Sequence, residues 1–128
     1  MRLQIAIVCQ MQRLITKPYD LEERLVEFAA ATAIFTRSHR SDESSQYYAR
    51  QLMRASGSAA LNYGEVLGTN TARDYVNKAS IVIKELKESR VCLKILRRLD
   101  STPELASSLL DETEELIRIV SVLRNKKS

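Results

Sequence analysis

The sequence predicts an all-α domain, an antiparallel up-down-up-down four-helix bundle, on three observations. Three Gly, two Pro, two Phe and no Trp stand against ample Leu, Ala, Glu, Lys and Arg, the bias of a helical chain. Four stretches repeat apolar residues every three or four positions. Short polar segments with helix-capping signals join them. At 128 residues the chain suits one domain, and such a domain buries roughly two-thirds of its unfolded surface, enough for a core of its own.

Leu21, Leu25, Phe28, Thr32 and Phe35 step by three or four, so the first helix is expected over residues 20–37. Asp20, Glu22 and Glu23 favour its N-terminal end through the helix dipole. The polar SHRSDES breaks the pattern. A second helix over 44–63 puts Tyr48, Leu52, Ala55, Ser56, Ala59 and Tyr63 on one face, with YGEVLGTN ending it at Gly64 and Gly68. Within it, RASGSAALNYGE is paved with small residues although Gly costs a helix about 1 kcal/mol relative to Ala. Close packing through Ala55, Ser56, Ala59 and Ala60 is the expected reason. Thr71 and Asp74 have capping-box spacing and open a third helix to Leu99, roughly 43 Å long at 1.5 Å per residue. Thr102 caps a fourth helix over 103–124, with Pro103 at its first position and Leu105, Leu109, Leu116, Val120 and Leu123 as its buried stripe. The bundle therefore occupies 18–124. Residues 1–17 form an extension that reads equally as a helical turn, a strand-like arm or a mobile tail, and 125–128 a basic, flexible end.

Several function classes are disfavoured. Cys9 and Cys92 show no disulfide framework or CxxC site, and LQIAIVCQMQ is too short and polar for a signal or membrane segment, so a reduced cytoplasmic setting and no membrane partner are expected. The sole histidine, His39, falls in an interhelical loop without the Glu-x-x-His pairs of a metal bundle, so no metal is expected. There is no phosphate-binding Gly loop, Ser-His-Asp set or activated Cys, and Cys92 reads as a small buried thiol. No catalytic residue, cofactor, small-molecule substrate or pocket is evident.

Charge is more informative. The net charge is +4, and residues 71–100 alone carry eight basic and four acidic side chains. At 100° per residue, Ile81, Leu86, Cys92, Leu93, Ile95, Leu96 and Leu99 share one half of the third helix with Glu85 and Glu88. Carboxylates there need partners, and Arg50, Arg54, Asn62 and Glu65 of the second helix are the expected members of a structural polar network; an acid–base pair would use the same residues, but without His or an evident pocket the structural reading is preferred. Lys84, Lys87, Arg90, Lys94, Arg97 and Arg98 span an arc of about 140° on the other side. Three readings stay open for them: a solvated face, ion pairs with Asp111, Glu112, Glu114 and Glu115 within or between subunits, or phosphate binding with counterion release. Scarce aromatics argue against sequence-specific single-strand recognition.

YDLEERLVEFA (19–29), QLMRASGSAALNYGE (51–65) and RDYVNKASIVIKELKESRVCLKIL (73–96) together resemble the bacterial four-helix-bundle proteins encoded in intervening sequences of 23S ribosomal RNA genes. The resemblance covers about residues 19–124 through its Gln-Leu-x-Arg-Ala-Ser run, its Asn-x-x-Glu pair and their order. Val66 stands where family members often have Gly or Ala, and residues 1–17 have no clear counterpart. The resemblance implies a homopentameric ring without enzymatic activity, and a distant relationship to the basic accessory subunit that works beside the reverse transcriptase of diversity-generating retroelements. The expected function is thus non-enzymatic binding of RNA or a ribonucleoprotein, with Lys126 and Lys127 adding to the basic face. The alternative is a protein–protein assembly module.

Overall fold

The computed structural model describes residues 20–100 and 103–128. It contains four helices, α1 (Leu21–Thr36), α2 (Glu43–Val66), α3 (Ala72–Leu99) and α4 (Glu104–Lys127), and no strand among the described residues. They form an antiparallel bundle. The expectations for residues 1–17, Cys9 and the Thr102 cap lie outside the described residues.

Each of the first three helices begins where a side chain can accept an otherwise unpaired backbone N–H. Asp20 accepts from the Glu22 N–H at 3.0 Å, Asp42 from the Ser45 N–H at 2.8 Å and Thr71 from the Asp74 N–H at 3.1 Å. Pro103 stands just before α4, and its carbonyl accepts the Ser107 N–H at 3.0 Å. Helix α4 continues to Lys127, so Lys126 and Lys127 sit in its last turn rather than in a flexible end. There the Lys127 Nζ lies 5.4 Å from the centre of the Tyr75 ring at the start of α3.

Gly64 does not end α2, contrary to the expectation from sequence. The helix passes through it to Val66, and no described glycine has a positive φ. Short i→i+3 bonds, Gly68 N–H to the Glu65 carbonyl at 3.1 Å and Thr69 N–H to that of Val66 at 3.2 Å, tighten the end instead. In the small-residue stretch Ala55, Ser56 and Ala59 are fully buried and Ala60 half-buried. Ser56 and Thr32 bring α2 and α1 within hydroxyl contact, 2.6 Å between their oxygens. Gly57 has no such duty, since a Cβ built on it meets nothing within 4 Å.

Helix α3 is rotated from its expected setting. Its buried residues are Ala79, Val82, Ile83, Leu86, Ser89, Cys92, Leu93 and Leu96, whereas Ile81 and Leu99 are exposed. The shift is roughly 60° at 100° per residue. It arises because α3 packs against both α2 and α4 and must bury the sector between them, whereas α1 and α4 share only a thin seam. No described helix is long and apolar enough to cross a membrane.

Candidate nucleic-acid interface

The rotation of α3 leaves Lys84, Lys87, Lys94 and Arg98 exposed and draws Arg90 and Arg97 half under cover. Lys84 and Arg98 are fourteen residues apart, so the exposed row is about 21 Å long. Helix α4 does little to neutralise it. Arg90 reaches Glu114 at 3.4 Å, but Glu112 is held by Arg24 of α1 through bonds of 2.8 and 2.7 Å, Glu115 pairs with Arg118 of its own helix, and Asp111 is exposed. Lys84, Lys87, Lys94, Arg97 and Arg98 form no ion pair among the described residues, although the charge of Lys84 is felt by Glu88 one turn along α3.

The six polar residues expected to form one network are divided among separate contacts. Arg54 bridges α2 to α3, approaching Glu85 at 3.4 Å and also pairing with Glu88. The hydrogen bond to Glu88 is the main reason that carboxyl is held below its ordinary pKa. Glu65 lies 3.3 Å from Lys78 instead, Asn62 donates to the Ser58 carbonyl at 2.8 Å, and Arg50 lines a cleft between α1 and α2. Arg54 is half exposed, so its cluster is a solvated brace rather than a buried charge site. Nearby Cys92 is buried, and burial first, then the Glu88 charge, pushes its thiol pKa up against a smaller lowering by Arg54. This is the setting of an inert thiol. No group of three or more His, Cys, Asp or Glu among the described residues could hold a metal ion.

Two features had no counterpart in the sequence reading. His39, a loop residue, is buried: its ring lies 4.3 Å from that of Phe35, Nδ1 donates to the Phe35 carbonyl at 3.0 Å, and Nε2 lies 3.0 Å from Asp100 Oδ2 beyond the end of α3. The imidazole thereby ties the α1–α2 loop to the end of α3. Beside it a cavity of about 480 Å³ opens between the end of α1, that loop and the first half of α2. Arg37, Arg40 and Arg50 line it, separated too widely in sequence to be read as one cluster.

No protein-family model matches the chain, and no curated protein matches it significantly. Among solved structures, its fold is similar to the crystal structure of a protein of unknown function from the S23 ribosomal protein family of Bacteroides thetaiotaomicron VPI-5482. The two share 20% identity with a TM-score of 0.74, over 82% of this chain and 98% of that one. A likeness at that identity shows a shared four-helix fold.

Proposed function

We propose that this protein is a non-enzymatic, cytoplasmic, homo-oligomeric bundle that binds RNA or a ribonucleoprotein through the basic face of α3. The observation that carries the reading is the row of α3 cations that form no ion pair among the described residues, beside an α4 whose carboxylates Glu112 and Glu115 are committed elsewhere. Unpaired, exposed Lys and Arg along about 21 Å of helix suit backbone phosphates, whose neutralisation releases condensed counterions. The likeness to an S23-family fold agrees with an RNA-associated role. The finer kinship, with proteins of 23S ribosomal RNA intervening sequences and with a retroelement accessory subunit beside a reverse transcriptase, rests on the motif resemblance, as does the pentameric ring.

A second reading, a protein–protein assembly module, draws on exposed apolar residues: Leu61 is 76% exposed, with Val91 and Leu99 about half exposed. Self-association through such residues is compatible with RNA binding, because a ring repeats the α3 face once per subunit and adds weak contacts through effective concentration. A mobility-shift titration of RNA at several salt concentrations, with subunit mass measured by light scattering, separates the readings. Salt-sensitive RNA binding supports the first; an oligomer with no RNA affinity leaves the second.

A further inference from the structure

The geometry points to a second, independent site: the cleft between α1 and α2 binds a terminal phosphate carried by a nucleotide unit. Arg37, Arg40 and Arg50 all line it, and no acidic residue does. Elsewhere Arg24, Arg54, Arg90 and Arg118 each meet a glutamate, while Arg73, Arg97, Arg98 and Arg124 form no ion pair among the described residues but do not line this cleft. The three cleft guanidinia have no ion pair and donate no side-chain hydrogen bond to any described residue. Asp42, the carboxylate nearest to Arg40 along the chain, is turned to Ser44 and Ser45 in capping α2.

Favourable interaction of a cation with the C-terminal dipole of α1 accounts for Arg37. It does not account for Arg40 and Arg50 facing the same cavity. A dianion in the cleft would be met by positive charge from more than one side chain, and planar guanidinium forks match its oxygens.

The floor is already formed, which lowers the ordering cost of binding. His39 is fixed at both ring nitrogens, and Gln46 Nε2 donates to the Arg40 carbonyl at 2.7 Å, pinning the loop to α2. Ala33, Ala49 and the half-exposed Met53 add an apolar wall beside the cations. Phosphate on one side and apolar contact on the other describe a sugar phosphate or nucleotide, and a cavity of about 480 Å³ lies within the range of small-molecule sites. The α1–α2 loop bounds the cleft on one side through Arg37, His39 and Arg40, which favours a chain end over a phosphodiester that must continue in both directions. The nucleotide can be free or the 5′ end of an RNA.

The test uses the full chain with calorimetric titration of AMP and inorganic phosphate, and anisotropy of one RNA oligomer bearing either a 5′-phosphate or a 5′-hydroxyl. AMP is expected to bind, with affinity reduced at least tenfold in Arg37→Gln/Arg50→Gln, less in Arg40→Gln, and unchanged in Lys87→Glu/Lys94→Glu; circular dichroism verifies that the variants stay folded. A 5′-phosphate that tightens RNA binding at least fivefold, a preference lost in the arginine variant, identifies an RNA end as the source. AMP binding without that preference identifies a free nucleotide. No binding of AMP or phosphate together with equal affinity for the two RNAs overturns the site, as does binding unaffected by the arginine substitutions. Loss of RNA affinity in the lysine variant reports on the α3 face alone.

Discussion

Replacing Glu112 with Ala tests what closes the bundle. Helices α1 and α4 share only a thin seam, and across it the Arg24 guanidinium donates two bonds, 2.8 and 2.7 Å long, to the Glu112 carboxylate. Glu112 is 7% and Arg24 16% exposed, so the pair is largely shielded from water. Removing one partner of a fully buried pair costs about 3–5 kcal/mol, chiefly because the other charge is left uncompensated. The exposed edge of Arg24 lets water recover part of that, which sets the expectation for Glu112→Ala at about 2–4 kcal/mol. For a domain of this size that is a fall in Tm of roughly 6–15 °C, read by thermal and urea denaturation. The double variant Arg24→Met/Glu112→Leu should recover most of the loss, since apolar packing often replaces a buried ion pair without penalty. A single variant within about 0.5 kcal/mol of the parent would refute the reasoning, as would a double variant no more stable than the single.

Three further outcomes follow from the packing and the caps. Ala59→Leu should lower stability by about 1–3 kcal/mol in urea denaturation, because Ala59 is fully buried in the core; an unchanged midpoint would mean the face can spread without strain. Gly57→Ala should raise stability by roughly 0.5–1 kcal/mol, since the new Cβ meets nothing within 4 Å and the helix loses its most flexible interior residue. Hydrogen bonds from the Ser45 backbone, and then from the Ser44 hydroxyl, hold the Asp42 carboxyl below the ordinary aspartate range. Its depressed pKa makes its contribution to stability complete at neutral pH and lost as pH falls through that pKa. Asp42→Ala should therefore be less stable than the parent at pH 7, with the gap closing in more acid solution; a gap independent of pH would contradict the capping role.

Local signals carried most of the fold. Asp20, Asp42 and Thr71 mark helix starts by chemistry that acts within three residues, and the periodic positions Leu25, Phe28, Thr32 and Phe35 are all buried. What escaped the sequence depends on partners distant along the chain. A periodicity argument assigns one apolar arc per helix, but α3 faces two neighbours, so its centre moved and exchanged Ile81 and Leu99 for Ala79 and Ile83. Gly64 resembles a stop only if it adopts a positive φ, which it does not. Glu112 and His39 are polar residues made buriable by Arg24 and Asp100, 88 and 61 positions away. The α3 cations were legible as an arc, but the distinction between paired Arg90 and its unpaired neighbours required the orientation of α4. The arginine cleft joins residues from three segments, with no motif to announce it.

If the exposed α3 cations bind nucleic-acid phosphates, the slope of log affinity against log salt must report it. Parent and Lys87→Glu/Lys94→Glu are compared on one RNA after light scattering confirms the same oligomeric mass for both. Salt-sensitive binding by the parent is expected, with a weaker affinity in the variant and a slope shallower by roughly 0.7–0.9 for each phosphate that the variant no longer neutralises. Equal affinities and slopes for the two proteins, or no RNA binding by the parent at low salt, would contradict it.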